Sequence, residues 1–254
     1  MPGHTRPVRK VIHNQDGDLL FSCSDDGKVA MYDTYQCIRT GQFDVASACT
    51  SIDVTKNSKF VLATSVDGVI VFNVSDGTRA AAMTVPGNRK IQVKLSYGDK
   101  QFFLMYMDKK ISGIRIYDFA SIISAGCTEN TPKHIKEIIP ANQAEFTCAA
   151  WGPLNKTLYV GTKTGKLLIF DLNSGRILKD VQVHQAEIYE ISVSHDFTML
   201  FTASRDGGSK LLHPETFEEV RKYSYSGKPC RTVAVSPLHD SQDWQKFHII
   251  MGGG

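Results

Sequence analysis

A tight turn followed by a short apolar run recurs along this chain of 254 residues and constrains its fold more than any other feature. The turns begin at positions 26, 67, 108, 164 and 206, so successive copies lie 41, 41, 56 and 42 residues apart. Repeats of about 40–45 residues, each built of four short strands, are typical of β-propellers. The one long interval corresponds to a repeat plus an insertion, which the sequence places at residues 120–132. The spacing therefore predicts an all-β propeller.

The strands within each repeat follow from apolar alternation and turn chemistry. In the first repeat, Asp26-Gly27 separates two apolar runs, and Asp-Gly favours two-residue hairpins because glycine adopts a positive φ without steric cost. Helical periodicity is weak throughout, so no helix is predicted. We expect a single domain over residues 1–254. Its predicted repeats, five complete and a sixth incomplete, cover residues 8–43, 48–84, 91–139, 146–182, 188–224 and 231–251.

The composition is that of an ordinary globular protein. Hydrophobic residues make up 42% of the chain and charged residues 22%, with a net charge of +3, so a packed core is feasible and the charge alone indicates no nucleic-acid or membrane partner. No apolar run is long enough to span a membrane, and the first residues form no secretory signal. The six cysteines contain no Cys-x-x-Cys pair, which favours reduced, buried thiols and a cytoplasmic location.

The glycine-rich string Gly161–Lys166 is the strongest candidate for a phosphate-binding loop. A P-loop requires four residues between its glycines and a Ser or Thr after the lysine, whereas three intervene here and Leu167 follows. The string also lies between two predicted strands, so no helix N-terminus is available to hold phosphate. We therefore interpret it as a hairpin.

Other candidate chemistry is equally weak. The acidic residues of the first repeat (Asp16, Asp18, Asp25 and Asp26) fall in predicted hairpins, where aspartate side chains bond to backbone amides. The eight histidines show no zinc-binding spacing, and no Gly-x-Ser-x-Gly elbow is present. Basic residues are scattered among acidic ones without an aromatic-interleaved RNA-binding motif. The sequence predicts no catalytic residue, no metal site and no cofactor. An enzyme built from residues of several blades around a central channel stays open as an alternative.

The repeats resemble WD40 repeats whose signature residues are altered. The Trp-Asp that ends the third strand of a WD40 repeat is replaced, and Gly-His survives only at Gly3-His4. An aromatic residue at the tryptophan position still packs between blades, and the following Asp can serve the adjacent turn. His184 precedes a first strand, where a WD40 histidine belongs to a structural hydrogen-bond network. The replacing pairs are Tyr32-Asp33, Phe72-Asn73, Tyr117-Asp118, Phe170-Asp171 and Leu212-His213.

Several longer strings are similar to the i-subunit family of eukaryotic translation initiation factor 3, and they occur in the family's order over nearly the whole chain. They are Gly3–Pro7, Gly17–Ser22, Trp151–Leu154, Thr198–Asp206 and Ile249–Gly254. The family has about seven blades, so the resemblance implies that this chain is a truncated seven-bladed ring. An incomplete ring leaves a sheet edge unpaired, and we expect the sixth repeat to need further strands or another chain.

The resemblance also implies a function. Proteins of this family are non-catalytic scaffolds that bind the b and g subunits of the factor and reach the small ribosomal subunit through the complex. The b subunit docks around blades five and six, and the matching residues here are Arg205, Asp206 and Tyr223. Asp206 fits equally well as the turn residue of its hairpin. The main alternative function is that of a WD40 adaptor in another cytosolic assembly, for signalling or ubiquitin ligation. Direct sequence-specific nucleic-acid binding is not expected.

Overall fold

A computed structural model describes residues 3–85, 87–109, 111–127, 132–140, 144–224, 228–235 and 249–253. Five sheets each contain four antiparallel strands, and in each the strands lie side by side in sequence order; β21 and β22 form a sixth, two-stranded sheet. We call the sheets blades 1 to 6. The strands are β1 (Val8–His13), β2 (Leu19–Ser24), β3 (Lys28–Asp33) and β4 (Ile38–Asp44) in blade 1; β5 (Ile52–Val54), β6 (Phe60–Thr64), β7 (Gly68–Asn73) and β8 (Arg79–Thr84) in blade 2; β9 (Arg89–Leu95), β10 (Gln101–Asp108), β11 (Ile111–Asp118) and β12 (Lys136–Ile138) in blade 3; β13 (Phe146–Trp151), β14 (Thr157–Thr162), β15 (Lys166–Asp171) and β16 (Ile177–Gln182) in blade 4; β17 (Ile188–Val193), β18 (Leu200–Ser204), β19 (Gly208–Leu212) and β20 (Glu219–Ser224) in blade 5; and β21 (Cys230–Val235) and β22 (Ile249–Gly253) in blade 6.

The predicted all-β class, a β-propeller of four-stranded blades, is confirmed by this arrangement. The strands of blades 4 and 5 begin and end where the predicted repeats do, at 146–182 and 188–224. Of the predicted sixth repeat, 231–251, residues 236–248 lie outside the described residues. The chain divides into two compact units, Met1–Ile139 with blades 1 to 3 and Pro140–Gly254 with blades 4 to 6. A single domain and a seven-bladed ring both stay predictions.

The core of each unit lies between its blades. The two middle strands of a blade carry apolar side chains on both faces, and all five residues of β18 are buried. Outer strands are mostly exposed, as β16 and β20 show. Within each unit the middle strands pack against neighbouring blades, and their sequences are continuous apolar runs rather than an alternation of apolar and polar residues.

Glycine supports the hairpins in two different ways. At Gly27 and Gly207 the backbone has a φ of 80° and 84°, as the Asp-Gly turn chemistry predicts, and Gly165, which follows Thr164, also has a φ of 84°. Gly68 does not have a positive φ. A Cβ there would lie 1.9 Å from the carbonyl oxygen of Met83, so glycine is required by the close approach of β8.

Most of the altered Trp-Asp pairs keep a buried side chain at the first position. Phe72, Tyr117, Phe170 and Leu212 are buried at the end of the third strand, whereas Tyr32 is half-buried. Where an aspartate follows, it accepts hydrogen bonds from the next turn: the carboxylate of Asp171 lies 3.1 Å from the amide nitrogen of Asn173 and 3.0 Å from that of Ser174. The expectation that these substitutions preserve packing agrees with the structure at four of the five pairs.

A short α-helix, α1 (Phe119–Ala125), begins one residue before the predicted insertion at 120–132 and was not expected from the sequence. Asp118 caps its N-terminus by accepting a hydrogen bond from the amide of Ser121 at 2.8 Å. Phe119 and Ile122 are buried in the core of the first unit, and the carbonyl of Gly126 accepts a hydrogen bond from the amide of Ala82 at 3.1 Å. The insertion therefore covers the outer edge of β8, which would otherwise expose unpaired backbone groups. In the described part of the chain, no helix combines the length and the apolar composition that a membrane span needs.

Candidate functional site

The predicted partner-binding residues lie in blade 5, and the hairpin between β18 and β19 places two of them. Asp206 occupies the turn, and its carboxylate accepts backbone hydrogen bonds from Gly208 at 3.0 Å and from Gln185 at 3.2 Å. It also lies 2.9 Å from Nδ1 of His184, whose Nε2 is 2.8 Å from the hydroxyl of Thr202. Asp206 therefore does serve as a turn residue. Its bonds also connect the turn to His184 and Gln185, which lie just before β17.

Burial fixes the protonation of this network. Burial of the imidazole lowers the pKa of His184 below its ordinary value of 6.5, and the attraction of Asp206 only partly opposes this effect. Because a carboxylate can only accept, the neutral ring donates its Nδ1 proton to Asp206, and Nε2 accepts the hydroxyl proton of Thr202. Burial acts to raise the pKa of Asp206, but His184 and the backbone amides outweigh it and lower the pKa of this carboxyl.

Blade 1 contains the same network at the same spacing. Asp26 lies 3.0 Å from Nδ1 of His4, and the hydroxyl of Ser22 lies 2.8 Å from Nε2. The amides of Thr5 and Lys28 donate to the carboxylate of Asp26 at 3.0 Å and 3.1 Å. The histidine precedes the aspartate by 22 residues in both blades. Two copies of one arrangement indicate a structural role, as the sequence analysis expected for His184.

Arg205 and Asp206 are both exposed residues, but Arg205 differs from its neighbour in the bonds that its side chain makes. Its amide donates to the carbonyl of Glu187 at 2.9 Å, which holds the backbone. Among the described residues, the guanidinium group makes no hydrogen bond or ion pair. It is therefore available to bind an acidic group of another molecule.

Tyr223 completes the predicted site and lies on the outer strand of blade 5. Gly208 pairs with Ser224, so Tyr223 lies at the end of β20 next to the turn that carries Asp206. The ring is half-buried, and the guanidinium carbon of Arg221 lies 5.9 Å from its centre. The tyrosine side chain contacts an apolar cluster shared by blades 5 and 6. The structure thus places all three predicted residues at one end of blade 5, with Asp206 serving the fold and Arg205 facing solvent.

Sequence reasoning missed a carboxylate that joins blade 5 to blade 6. Glu190 of β17 accepts hydrogen bonds from the hydroxyl of Thr232 and, at 3.1 Å, from the amide of Val233. In the same way, the carboxylate of Asp53 in β5 joins blade 2 to blade 3, because it accepts a hydrogen bond from the amide of Leu95 at 2.7 Å. The available clue was an acidic residue inside an otherwise apolar first strand. A period-two pattern tolerates one polar position, so such a residue does not stand out in the sequence.

The glycine-rich string and the acidic residues of the first repeat have structural roles. The hydroxyl of Thr162 accepts a hydrogen bond from the amide of Lys166 at 3.0 Å. This bond lies within the hairpin between β14 and β15, so the glycine-rich string forms a hairpin as expected. The Asp25 carboxylate forms an ion pair with Arg9. Within the described ranges, no group of three or more His, Cys, Asp or Glu residues could hold a metal ion.

Comparisons with known proteins match both the repeats and the whole chain. The family model for the WD domain, G-beta repeat, matches residues 1–33, and that for the anaphase-promoting complex subunit 4 WD40 domain matches residues 110–196. Three relatives named eukaryotic translation initiation factor 3 subunit I are 27–28% identical to this chain. The Dictyostelium discoideum protein is 28% identical over 99% of this chain and 72% of its own length. The Xenopus laevis and Homo sapiens proteins are each 27% identical over 100% of this chain and 75% of their own length.

These matches confirm the resemblance that the ordered strings predicted. They extend over all the blades rather than over one repeat, and the blades have the strand order that WD40 repeats require. The chain is therefore similar, over 99–100% of its length, to proteins named eukaryotic translation initiation factor 3 subunit I, and it matches WD40 models over residues 1–33 and 110–196.

Proposed function

We propose that this chain is a non-catalytic scaffold subunit of translation initiation factor 3 that acts in the cytoplasm. The proposal rests on the match to relatives named as subunit I, which covers 99–100% of this chain and 72–75% of the relatives' length. A single propeller domain over residues 1–254 would present its hairpin turns on a stiff frame of hydrogen-bonded strands. Affinity for other subunits then comes from surface complementarity and not from induced folding.

The partners proposed are the b and g subunits, with the small ribosomal subunit reached through the assembled factor. Arg205 is the strongest contact residue because it is exposed and its guanidinium has no bonding partner among the described residues, so it can bind a carboxylate in a bidentate manner. Tyr223 offers an aromatic surface beside it. Asp206 contributes by holding the turn that carries Arg205.

Affinity purification tests this function. The tagged chain should recover the b and g subunits from a cell extract, with partners identified by mass spectrometry. Arg205→Glu should weaken recovery of the b subunit about tenfold or more, because it places a repelled charge in the interface. Lys59→Glu makes the same change of charge on an exposed residue of blade 2 and should leave recovery unchanged. Recovery of another complex without b or g would contradict the proposal.

One observation favours a second candidate. The match of residues 110–196 to the anaphase-promoting complex subunit 4 WD40 domain is compatible with an adaptor in a ubiquitin-ligase assembly. That match covers part of the chain, whereas subunit I relatives cover all of it. Recovery of ubiquitin-ligase subunits in the same purification, with an unchanged result for Arg205→Glu, would favour the adaptor.

A further inference from the structure

An apolar groove lies between blades 4 and 5, at the opposite end of these sheets from Arg205 and Asp206. In an antiparallel blade, the turn between the second and third strands lies at one end, and the two other turns lie at the other. The groove is formed by the turn at 153–156, by Leu178 and Lys179 of β16, and by the turn at 214–217. It encloses about 380 Å³, within the size range of ligand-binding clefts.

The floor of the groove is apolar and belongs to the core. Tyr159, Ile169 and Phe217 are buried, and the rings of Tyr159 and Phe217 meet edge to face with centroids 5.9 Å apart. At the rim, however, Leu154 is 77% exposed and Leu178 is 57% exposed. Large apolar side chains around a concave apolar floor are typical of surfaces that bind another molecule.

Leu154 is held outward by an unfavourable backbone. It has a φ of 54°, in the left-handed region that leucine rarely adopts, and Asn155 has the same value. Glycine would fit this conformation without strain. Gly152 before it is required by the fold, because a Cβ there would lie 2.0 Å from the hydroxyl oxygen of Thr157. The fold thus explains Gly152 but not the leucine, whose side chain contributes little to the core.

The charges at the rim select a type of partner. Lys179 donates to the backbone carbonyl of Glu215 at 2.7 Å and lies 5.0 Å from the Phe217 ring centre. Among the described residues, neither Lys179 nor the exposed Lys156 forms an ion pair with a carboxylate. At the other end of blade 4 the situation is different. There Lys163 pairs with Glu145 at 2.6 Å, and the ammonium of Lys166 lies 2.9 Å from Asp180. Two unneutralised cations against the single carboxylate of Glu215 leave the groove positive.

We propose that this groove binds a peptide segment of another protein that presents bulky apolar side chains next to carboxylates. The apolar side chains would rest on Tyr159 and Phe217 against Leu154, and the carboxylates would face Lys156 and Lys179. Such a groove has few polar groups to orient a small metabolite, whereas an amphipathic peptide needs only apolar contact and matching charge. The inference is independent of the proposed function, because the groove and the Arg205 turn lie at opposite ends of the blades.

Fluorescence anisotropy on the full chain tests the proposal with a defined probe. The probe is a fluorescein-labelled amphipathic peptide made of leucine, alanine and glutamate, and its counterpart carries lysine in place of glutamate. The wild-type chain should bind the acidic peptide saturably, with an affinity that weakens as salt is added, and should bind the lysine peptide about tenfold more weakly or worse. Lys156→Glu should lose about tenfold in affinity for the acidic peptide, whereas Lys59→Glu should lose none.

Leu154→Gly separates binding from folding. Glycine relieves the left-handed strain, so this variant should melt at a higher temperature than the wild type and yet bind the acidic peptide about tenfold more weakly. A lower melting temperature, or unchanged affinity in both groove variants, would overturn the proposal. So would equal binding of the two peptides. A wild-type dimer that dissociates in Leu154→Gly, measured by sedimentation, would show that a second copy of the chain occupies the groove instead.

Discussion

At the scale of single residues, two aspartates do more than form turns. Asp26 and Asp206 each hold a histidine that comes from 22 residues earlier, together with two backbone amides. The neighbouring turn residue Asp67 has Val45 at the matching position and so has no such partner. The same residue type at the same place in the repeat therefore contributes differently to stability.

Asp206→Ala should lower the free energy of unfolding by about 2 kcal/mol, because it leaves a buried imidazole donor and two amides without their acceptor. Asp26→Ala should have a similar effect for the same reason. Asp76 is the matched control: it is an exposed turn residue that, in the described part of the chain, accepts hydrogen bonds on its side chain from Thr78 alone, and its replacement should cost less. Urea denaturation measures the difference. Equal losses at Asp76 and Asp206 would show that the histidine bond adds nothing.

The buried histidine makes stability depend on pH. The pKa of His184 is lowered in the folded chain and is ordinary in the unfolded chain, so below about pH 6.5 the unfolded chain binds a proton that the folded chain does not. Stability from this group is complete above that pH and falls as the pH decreases, by at most about 1.4 kcal/mol per unit. The charged groups that influence the imidazole are Asp206, which favours protonation, and Lys210 and Lys222, which oppose it.

Urea denaturation between about pH 7.5 and about pH 5.5 checks this sign. The wild type should lose stability toward the acid end, and His184→Asn should be less stable at neutral pH but show a flatter dependence. A slope that persists unchanged in the variant would assign the titration to another group.

At the scale of elements, α1 shows how an insertion is used to complete a blade. Asp118 ends β11 and caps the helix at once, so the chain passes from strand to helix without a loop. Phe119 contacts Phe102 edge to face, with ring centroids 6.4 Å apart. The helix is thereby attached to the core of the first unit and not merely to the surface.

Ile122→Ala should cost about 2–4 kcal/mol, since Ile122 is 1% exposed and its removal leaves a cavity under the helix. Ile111→Ala removes the same atoms from a residue that is 50% exposed and should cost less than about 1 kcal/mol. Urea unfolding of both variants compares them. If the two losses are alike, the helix is only loosely attached.

At the scale of the whole molecule, the sixth blade differs from the other five. It has two strands in the described part of the chain, and Ile250 is 71% exposed. Its attachment to blade 5 depends on the apolar cluster around Phe201 and Val233 and on the carboxylate of Glu190. Strands at such an edge have few neighbours to suppress local opening.

Hydrogen exchange on the isolated chain should therefore be fast in β21 and β22 and slow in β14 and β15 of blade 4. Glu190→Ala should further speed exchange at the amide of Val233, which loses its acceptor, while the amides of β14 stay protected. Mass spectrometry or NMR resolves these segments. Uniformly slow exchange would show that the sixth blade is as well supported as the fourth and would contradict the predicted incomplete ring.

The sequence by itself determined the repeat, the strand positions and most of the turns. Apolar alternation and Asp-Gly pairs act over a few residues, so a linear pattern records them directly, as at Gly27 and Gly207. It also determined the resemblance, because the Trp151–Leu154 string and its companions are matters of residue order. The helix α1 was not predicted because its seven residues are too few to show a helical periodicity in the sequence.

Only the tertiary structure decided which polar groups meet. His184 and Asp206 are 22 residues apart, and their bond exists because two strands of a blade bring them together in a buried place. The groove between blades 4 and 5 likewise needs Leu154, Leu178 and Phe217 to come from three separate segments. Side-chain direction, burial and the presence of a partner are properties of contacts between distant parts of the chain. Local sequence cannot express them, and for that reason Arg205 and Asp206, adjacent in the chain, have opposite roles in the fold.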